Sequence, residues 1–133
     1  MKLQLLEYVC EQLPKNFKPY YIYLMIVDGC EVGKIVLREG SDEEMYYSGH
    51  IGYSVYEEYR GHHYAYEGCM LLKEYIDKEE LLITCDPLNY ASLKTIQRLG
   101  CEYIETVQVP YTLKKIFNED EKEKMIFRWK ITS

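Results

Sequence analysis

The segment over residues 49–65 combines a strand pattern, a glycine turn and a helix start, which together can bind a phosphate group. Apolar and polar side chains alternate through residues 50–56 and predict a strand. A polar turn with Gly61 follows, and helical spacing of apolar side chains begins at about His62. The first turn of a helix has backbone N–H groups without partners, and the helix dipole favours negative charge there. The segment therefore predicts an anion site that suits a pyrophosphate.

A second strand–turn–helix joint follows in the chain. Residues 81–85 form a short apolar run that predicts a strand, and residues 86–89 read as a turn with a helix-starting signal. Residues 91–99 predict a short helix, and Gly100 is well placed to end it. Two successive joints in so short a chain predict two adjacent strand ends that face one ligand.

The two joints resemble the signatures of the GNAT superfamily of N-acetyltransferases, which use acetyl-coenzyme A. The family's pyrophosphate signature is Arg or Gln, two residues, Gly, one residue, then Gly or Ala. Arg60 and Ala65 match it, and His63 stands where the family usually has glycine, which allows a close approach of the backbone to phosphate. The second signature is Asn, two residues, then Ala or Ser before a short helix; Asn89 and Ser92 match it.

A narrower resemblance points to small bacterial members of this family. They carry Leu-Arg-x-Gly before Gly-His-Ile-Gly-Tyr and Arg-Gly-His-x-Tyr-Ala, and residues 37–40 and 49–65 fit that pattern. The resemblance to the family covers about residues 20–131. It implies an acyltransferase that depends on acetyl-CoA and moves the acetyl group to a primary amine, either of a small molecule or of a protein N-terminus.

The predicted fold is α/β, with a single mixed, mostly antiparallel sheet and a central strand–helix–strand crossover. This matches the acyl-CoA N-acyltransferase fold of the GNAT family, with the first helices reduced or missing, because residues 9–19 leave little room for them and include two prolines. We find no linker and no repeat, so residues 1–133 are predicted to form one domain. The predicted strands are 2–8, 20–27, 31–38, 50–56, 81–85, 102–109 and 124–131.

The resemblance also implies which residues hold the coenzyme. Backbone groups at the end of the fourth strand would pair with the pantetheine arm, and the turn and helix start would bind the pyrophosphate. No metal is expected, because neighbouring histidines at a helix start point about 100° apart. The expected cofactor-binding residues are Val55, Tyr56, Glu57, Arg60, Gly61, His62, His63, Tyr64, Ala65, Asn89 and Ser92.

Acetyl transfer to an amine needs a group that takes the amine proton. His50 lies near the position where many family members carry a catalytic glutamate, and a histidine pKa of about 6.5 suits a general base. Glu57 and Glu58, in the turn, are the alternatives.

The leaving thiolate needs a proton or an electrostatic partner. Many family members use a tyrosine seven residues after the asparagine of the second signature, but Ile96 occupies that position here. Ser92 is the expected replacement, as in relatives that acetylate protein N-termini, and Tyr90 is a second option.

Composition restricts the partners. The net charge of −6 argues against broad binding to nucleic acid or to an anionic membrane, and it attracts a cationic amine. No apolar run approaches the ~20 residues of a membrane span, and the N-terminus lacks the pattern of a signal peptide. Five cysteines without a Cys-x-x-Cys pair predict reduced thiols and a cytoplasmic location.

Three questions stay open at the level of the sequence. The same fold can serve as a non-catalytic acyl-CoA-binding or regulatory domain, which Ile96 and His63 favour, or as an interaction protein without a ligand. The acceptor side, short of its usual helices and rich in tyrosine, is expected either to form a wide groove or to be covered in a homodimer.

Overall fold

The computed structural model describes residues 1–14, 17–110 and 123–131. Short 3₁₀ turns cover Glu57–Tyr59, after the fourth strand, and Lys73–Tyr75, after the first helix. In chain order, the strands and helices of the described residues are β1 (Lys2–Val9), β2 (Tyr20–Val27), β3 (Cys30–Arg38), β4 (Ile51–Val55), α1 (Tyr64–Leu72), β5 (Glu80–Cys85), α2 (Tyr90–Arg98), β6 (Glu102–Gln108) and β7 (Glu123–Lys130).

The first four strands form an antiparallel sheet in the order β1-β2-β3-β4. The hairpin between β2 and β3 turns at Asp28 and Gly29, whose φ angles are 50° and 80°. Positive φ at both central residues is the geometry of a tight turn that matches the twist of the two strands. Each of these four strands pairs with its neighbour in the sequence.

The last three strands form a second antiparallel sheet in the order β5-β7-β6. The predicted fold class is confirmed, but the sheet is divided between β4 and β5 and is not continuous. The N–H of His50 donates to the carbonyl of Leu82 at 2.8 Å, whereas the N–H of Leu82 donates to the His50 ring at 3.0 Å. Because a side chain accepts that bond, the backbone ladder does not continue along the two strands.

One cluster of buried side chains joins both sheets and both helices. Helix α1 packs closely on the first sheet at Gly68, where an added Cβ would lie 2.6 Å from the sulfur of Met25. Helix α2 contributes Ile96, which is fully buried. The other main members of the cluster are Ile35, Leu37, Ile51, Cys69, Leu72, Leu81, Ile83, Phe127 and Trp129. The helices therefore cover one face of the protein, and the ends of β4 and β5 lie beside them.

The segment between β1 and β2 is short, as predicted. Its described residues, 10–14 and 17–19, contain no helix. No helix of the described part of the chain is long and apolar enough to cross a membrane.

Candidate functional site

A cleft of about 790 Å³ lies where the carboxyl end of β4 meets the first turns of α1 and α2. We call it the large cleft. It is lined by the end of β4, by the turn that follows and by one face of α2. Of the predicted cofactor-binding residues, it brings together Val55, Arg60, Gly61, His63, Tyr64, Ala65, Asn89 and Ser92.

The turn before α1 has the geometry of an anion site. Gly61 has a φ of +92°, and His63 has a φ of +60° at the N-cap of the helix. The Arg60 side chain donates from Nε to the carbonyl of Val55 at 3.1 Å, which holds the turn against β4. The first helical bond runs from the N–H of Glu67 to the carbonyl of His63. The N–H groups before it have no earlier helical carbonyl to bond, so they remain available to a ligand.

The charges of the large cleft are positive, although the whole chain has a net charge of −6. Arg60, Lys94 and Arg98 line it, and none of the described residues that line it is an aspartate or a glutamate. The Arg98 guanidinium lies 4.9 Å from the centre of the Tyr66 ring, which links α2 to α1. A local cluster of cations can therefore hold a phosphorylated ligand against the overall field.

A second cleft, of about 460 Å³, opens beside the first. We call it the small cleft. Both clefts are lined by Tyr53, Ser54, Asn89 and Ser92, so they meet at these four residues. The rest of the small cleft is lined mainly by one face of β3 and β4 and by the end of β5.

Two hydroxyl groups meet where the clefts join. The Tyr53 hydroxyl lies 2.8 Å from the Ser92 Oγ, and either can donate to the other. Ser92 sits in the first turn of α2, and its N–H donates to the Asn89 side chain at 3.1 Å, so Asn89 caps the helix. Burial raises the pKa of Tyr53 above the ordinary value of a phenol. The pair is therefore neutral near pH 7 and holds protons that it can donate.

His50 does not line either cleft. Its side chain is fully buried, its Nδ1 accepts from the N–H of Leu82 at 3.0 Å, and its Nε2 lies 3.0 Å from the carbonyl of Gly40. A backbone N–H only donates and a carbonyl only accepts, so the ring is neutral with its proton on Nε2. Nδ1 is the one ring nitrogen without a proton, and it already accepts the hydrogen bond from Leu82. The structure thus contradicts the prediction that His50 is a general base and gives it a role in linking β4 to β5.

Five other predicted residues also lie outside both clefts: Tyr56, Glu57, Glu58, His62 and Tyr90. The Tyr56 hydroxyl donates to Glu31 at 2.6 Å, and the His62 ring stacks on Tyr64. The Tyr90 side chain is 65% exposed. A tyrosine or glutamate in a polar turn faces solvent by default, and nothing in these turns draws these side chains inward. The catalytic roles predicted for the side chains of Glu57, Glu58 and Tyr90 therefore lack geometric support, whereas the backbone roles predicted for Tyr56, Glu57 and His62 at the coenzyme stay predictions.

The sequence reasoning did not assign site roles to Tyr53, Lys94, Arg98 and Asp86. Lys94 and Arg98 lie four residues apart, and this spacing places both side chains on one face of α2. That signal was present in the sequence. The contact of Tyr53 with Ser92 joins residues that are 39 positions apart, and no local pattern announces it. Among the described residues, no group of three or more His, Cys, Asp or Glu side chains is arranged to hold a metal ion.

The acetyltransferase (GNAT) domain family matches residues 4–102 of this sequence. This chain belongs to the GNAT acetyltransferase family. The family is one of acyltransferase enzymes, and its matched region includes all of both joints described above. A search of curated protein sequences found no significant match.

Solved structures of GNAT proteins share the fold of this chain. The microcin C7 self-immunity acetyltransferase MccE, in complex with acetyl-CoA and AMP, is 18% identical with a TM-score of 0.65, over 84% of this chain and 61% of that one. The Salmonella typhimurium acetyltransferase that modifies the N-terminal serine of ribosomal protein L7/L12 is 17% identical with a TM-score of 0.66, over 84% of this chain and 63% of that one. Mycobacterium smegmatis RimJ, in complex with a CoA disulfide, is 15% identical with a TM-score of 0.64, over 84% of this chain and 53% of that one. This GNAT chain thus spans between 53% and 63% of the length of these three structures.

Proposed function

We propose that this GNAT protein transfers the acetyl group of acetyl-CoA to a primary amine of a small molecule or of a protein N-terminus. The observation that carries the proposal is the meeting of two clefts at the Tyr53–Ser92 hydroxyl pair. One cleft suits the coenzyme, and the other gives an amine access to the same point. We place the protein in the cytoplasm, since all five of its cysteines are free thiols.

The large cleft fits acetyl-CoA, whose phosphates are anionic and whose pantetheine arm is long and polar. Three cationic side chains and the free N–H groups at the start of α1 supply donors for phosphate. The edge of β4 at Val55 supplies backbone groups for the pantetheine arm. When bound there, acetyl-CoA would supply an acetyl group activated as a thioester.

Residues at the junction and in the small cleft can move the two protons of the reaction. Asp86 is the carboxylate of the small cleft among the described residues, and its Oδ1 accepts from the N–H of Leu88 at 2.8 Å. We assign to Asp86 the proton that the amine loses as its nitrogen bonds the acetyl carbon. The Ser92–Tyr53 pair donates a proton to the sulfur as the carbon–sulfur bond breaks, and the proton held by Asp86 returns through water to the pair, which restores both groups.

A titration with acetyl-CoA tests the coenzyme site. The expected result is a rise in thermal stability, which at one hundred times the dissociation constant amounts to about 2.7 kcal/mol. Gly61→Glu should abolish the rise, because it places a carboxylate against the pyrophosphate. Gly29→Glu is the matched control: both glycines have positive φ and open space around an added Cβ, but Gly29 lies in the β2–β3 hairpin. An equal loss in both variants would contradict the proposed site.

A second candidate function is a non-catalytic acyl-CoA-binding or regulatory domain on the same fold. Ile96 favours it, because this residue is fully buried at the position where many relatives carry a tyrosine that donates a proton. Turnover separates the two functions. Acetyl-CoA that stabilises the protein while no primary amine in a broad panel is acetylated would support the binding domain and reject the enzyme.

A further inference from the structure

The wall of the small cleft is one face of two paired strands. Lys34, Val36 and Arg38 alternate along β3, and all three line the cleft. Val36 pairs with Gly52 of β4, and Lys34 pairs with Ser54. Residues that alternate along paired strands point to the same face of a sheet. Lys34 therefore lies beside Ser54 of the junction, and Arg38 lies at the far end of the wall, with Gly52 between Arg38 and the junction.

Gly52 makes room for the Arg38 guanidinium. A Cβ added at this position would lie 2.9 Å from Nη2 and 3.2 Å from Nη1 of Arg38. The backbone of Gly52 does not have a positive φ, so its conformation does not itself demand glycine. The space that a side chain would fill at position 52 is occupied by the end of the Arg38 side chain, which crosses β4 towards the cleft.

The Arg38 guanidinium is held at one end by backbone carbonyls. Its Nη1 donates to the carbonyls of Ser48 at 3.4 Å and Gly49 at 3.2 Å. Among the described residues, neither Arg38 nor Lys34 forms an ion pair. Burial lowers the pKa of Arg38 from its ordinary value, which means that its surroundings disfavour the charge. A guanidinium stays charged in proteins, and a bound anion would offset the cost of its desolvation.

The Arg38 guanidinium lies a short distance from the junction of the clefts, where the proposed reaction takes place. Gly52 and Ser54 are two residues apart on β4, about 7 Å, and Ser54 belongs to the junction of the clefts. A small molecule whose anionic end lies at Arg38 can therefore reach the junction with an amine a few bonds away. A peptide N-terminus offers no such group at a fixed distance.

We propose that the small cleft selects a small primary amine that carries a carboxylate or a phosphate, and that Arg38, with Lys34, binds this anionic group. This inference rests on the proposed function, since it names the class of acceptor for the same site. Asp86 lines the same cleft, so the cleft offers a carboxylate to the amine end of the acceptor and cations to its anionic end. Lys124 also lines the cleft and adds to its basic lining.

Matched pairs of acceptors test the proposal with acetyl-CoA as the donor. O-phosphoethanolamine is compared with ethanolamine, and β-alanine with β-alaninamide, so that each pair differs in the anionic group and the two pairs separate phosphate from carboxylate. At least one anionic acceptor should exceed its neutral partner in kcat/KM. Arg38→Gln should lower kcat/KM for that acceptor by about 10- to 100-fold, the range of a lost charge-assisted hydrogen bond. Its neutral partner should change by less than about twofold.

Two further variants make the test specific. Gly52→Ala should reproduce the selective loss, because the new methyl group displaces the guanidinium while the charge stays in the protein. Lys130→Gln removes the same charge at the exposed end of β7 and should leave the ratio of anionic to neutral acceptors unchanged. An Arg38→Gln enzyme that keeps its preference, or a wild-type enzyme that prefers a neutral peptide N-terminus, would overturn the inference while acetyl transfer stands.

Calorimetry separates the inference from the proposed function. O-phosphoethanolamine, β-alanine and ethanolamine are titrated into protein saturated with coenzyme A, before and after Arg38→Gln. Binding of an anionic amine that depends on Arg38, without turnover on any amine, would support the anion site and reject the enzyme. Turnover on neutral amines, with no anionic amine bound more tightly than ethanolamine, would reject the anion site and keep the enzyme.

Discussion

His63 is the residue at which this chain departs from the pyrophosphate signature of its family. Its φ of +60° places it in the left-handed region, where glycine carries no penalty and other residues do. The replacement of the family's usual glycine by His63 is therefore a source of backbone strain. The conformation survives because the turn between Arg60 and the first helical bond of α1 holds it on both sides.

His63→Gly should raise the free energy of unfolding by about 1 kcal/mol, because relief of the left-handed strain outweighs the extra freedom of the unfolded chain. Acetyl-CoA binding should stay the same or tighten. Urea unfolding gives the first quantity and titration calorimetry the second. His62→Gly is the control: its φ is not positive, so glycine should lower stability there. A sharp loss of acetyl-CoA affinity in His63→Gly would show that the imidazole contacts the ligand.

The Ser92 hydroxyl at the junction and the Asp86 carboxylate in the small cleft should act on turnover and not on coenzyme affinity. Ser92→Ala keeps the N–H that Asn89 caps, and Asp86→Asn keeps an Oδ1 for the N–H of Leu88. We expect Ser92→Ala to lower kcat by about tenfold and Asp86→Asn by about 100-fold, with the KM for acetyl-CoA unchanged. Thr95→Val removes a hydroxyl from the large cleft, away from the junction, and should have little effect. Full activity in both variants would direct attention to Tyr53.

At the scale of elements, His50 connects the start of β4 to β5 through hydrogen bonds to Leu82. Its backbone N–H and its ring both bond Leu82, and its carbonyl accepts from Arg38 of β3 at 2.7 Å. One residue thus connects three strands at the point where the sheet divides. The division leaves the ends of β4 and β5 apart, which opens the two clefts between them.

The same residue should make stability depend on pH. Burial lowers the pKa of His50 below its ordinary value, and the Lys78 ammonium, whose Nζ lies 3.4 Å from Nε2, acts in the same direction. The unfolded chain therefore takes up a proton first, at about pH 6.5, and the stability present above that pH is lost as pH falls towards the folded pKa. Urea unfolding at pH 7.5 and pH 5.5 should show this loss. His50→Asn keeps an acceptor for Leu82, cannot titrate, and should show a smaller difference; an equal difference would reject the role of His50.

At the scale of the whole molecule, β1 is the exposed edge of the first sheet. Its side chains Leu5 and Leu6 are 53% and 52% exposed, whereas Tyr23 of β2, expected on an open aromatic surface, is buried. Unpaired edges with exposed apolar side chains favour association. We propose a homodimer across β1. The register shifts between Leu5 and Glu7, so we expect contact between side chains and not one continuous ladder.

Light scattering should give twice the monomer mass of 15.9 kDa. Leu6→Lys should produce a monomer, because it places a charge in the apolar contact. Leu88→Lys is the control and should leave the dimer intact. Leu88 is 75% exposed and lies in the turn between β5 and α2, outside β1. A mass of 15.9 kDa for the wild-type protein across concentrations would reject the dimer.

The sequence alone determined the elements and the order in which they follow one another. Alternation predicted the strands, helical spacing predicted α1 and α2, and the glycine turn at residue 61 predicted an anion site, because these features depend on neighbours within a few positions. The face on which a side chain lies also follows from this spacing. The alternation of residues 50–56 included His50 in the predicted strand, but its partner Leu82 was not visible in the sequence.

Tertiary structure decided what each side chain meets. The contact of Tyr53 with Ser92 spans 39 positions, and the contact of the His50 ring with Leu82 spans 32. Such contacts depend on how α1 and α2 pack on the two sheets, which no local pattern encodes. The same packing buried His50 instead of exposing it as a base, and it turned Arg38 over Gly52 into the small cleft. Chemistry at the junction of the clefts is therefore a property of distant residues brought together, while the coenzyme turn is a property of a continuous segment.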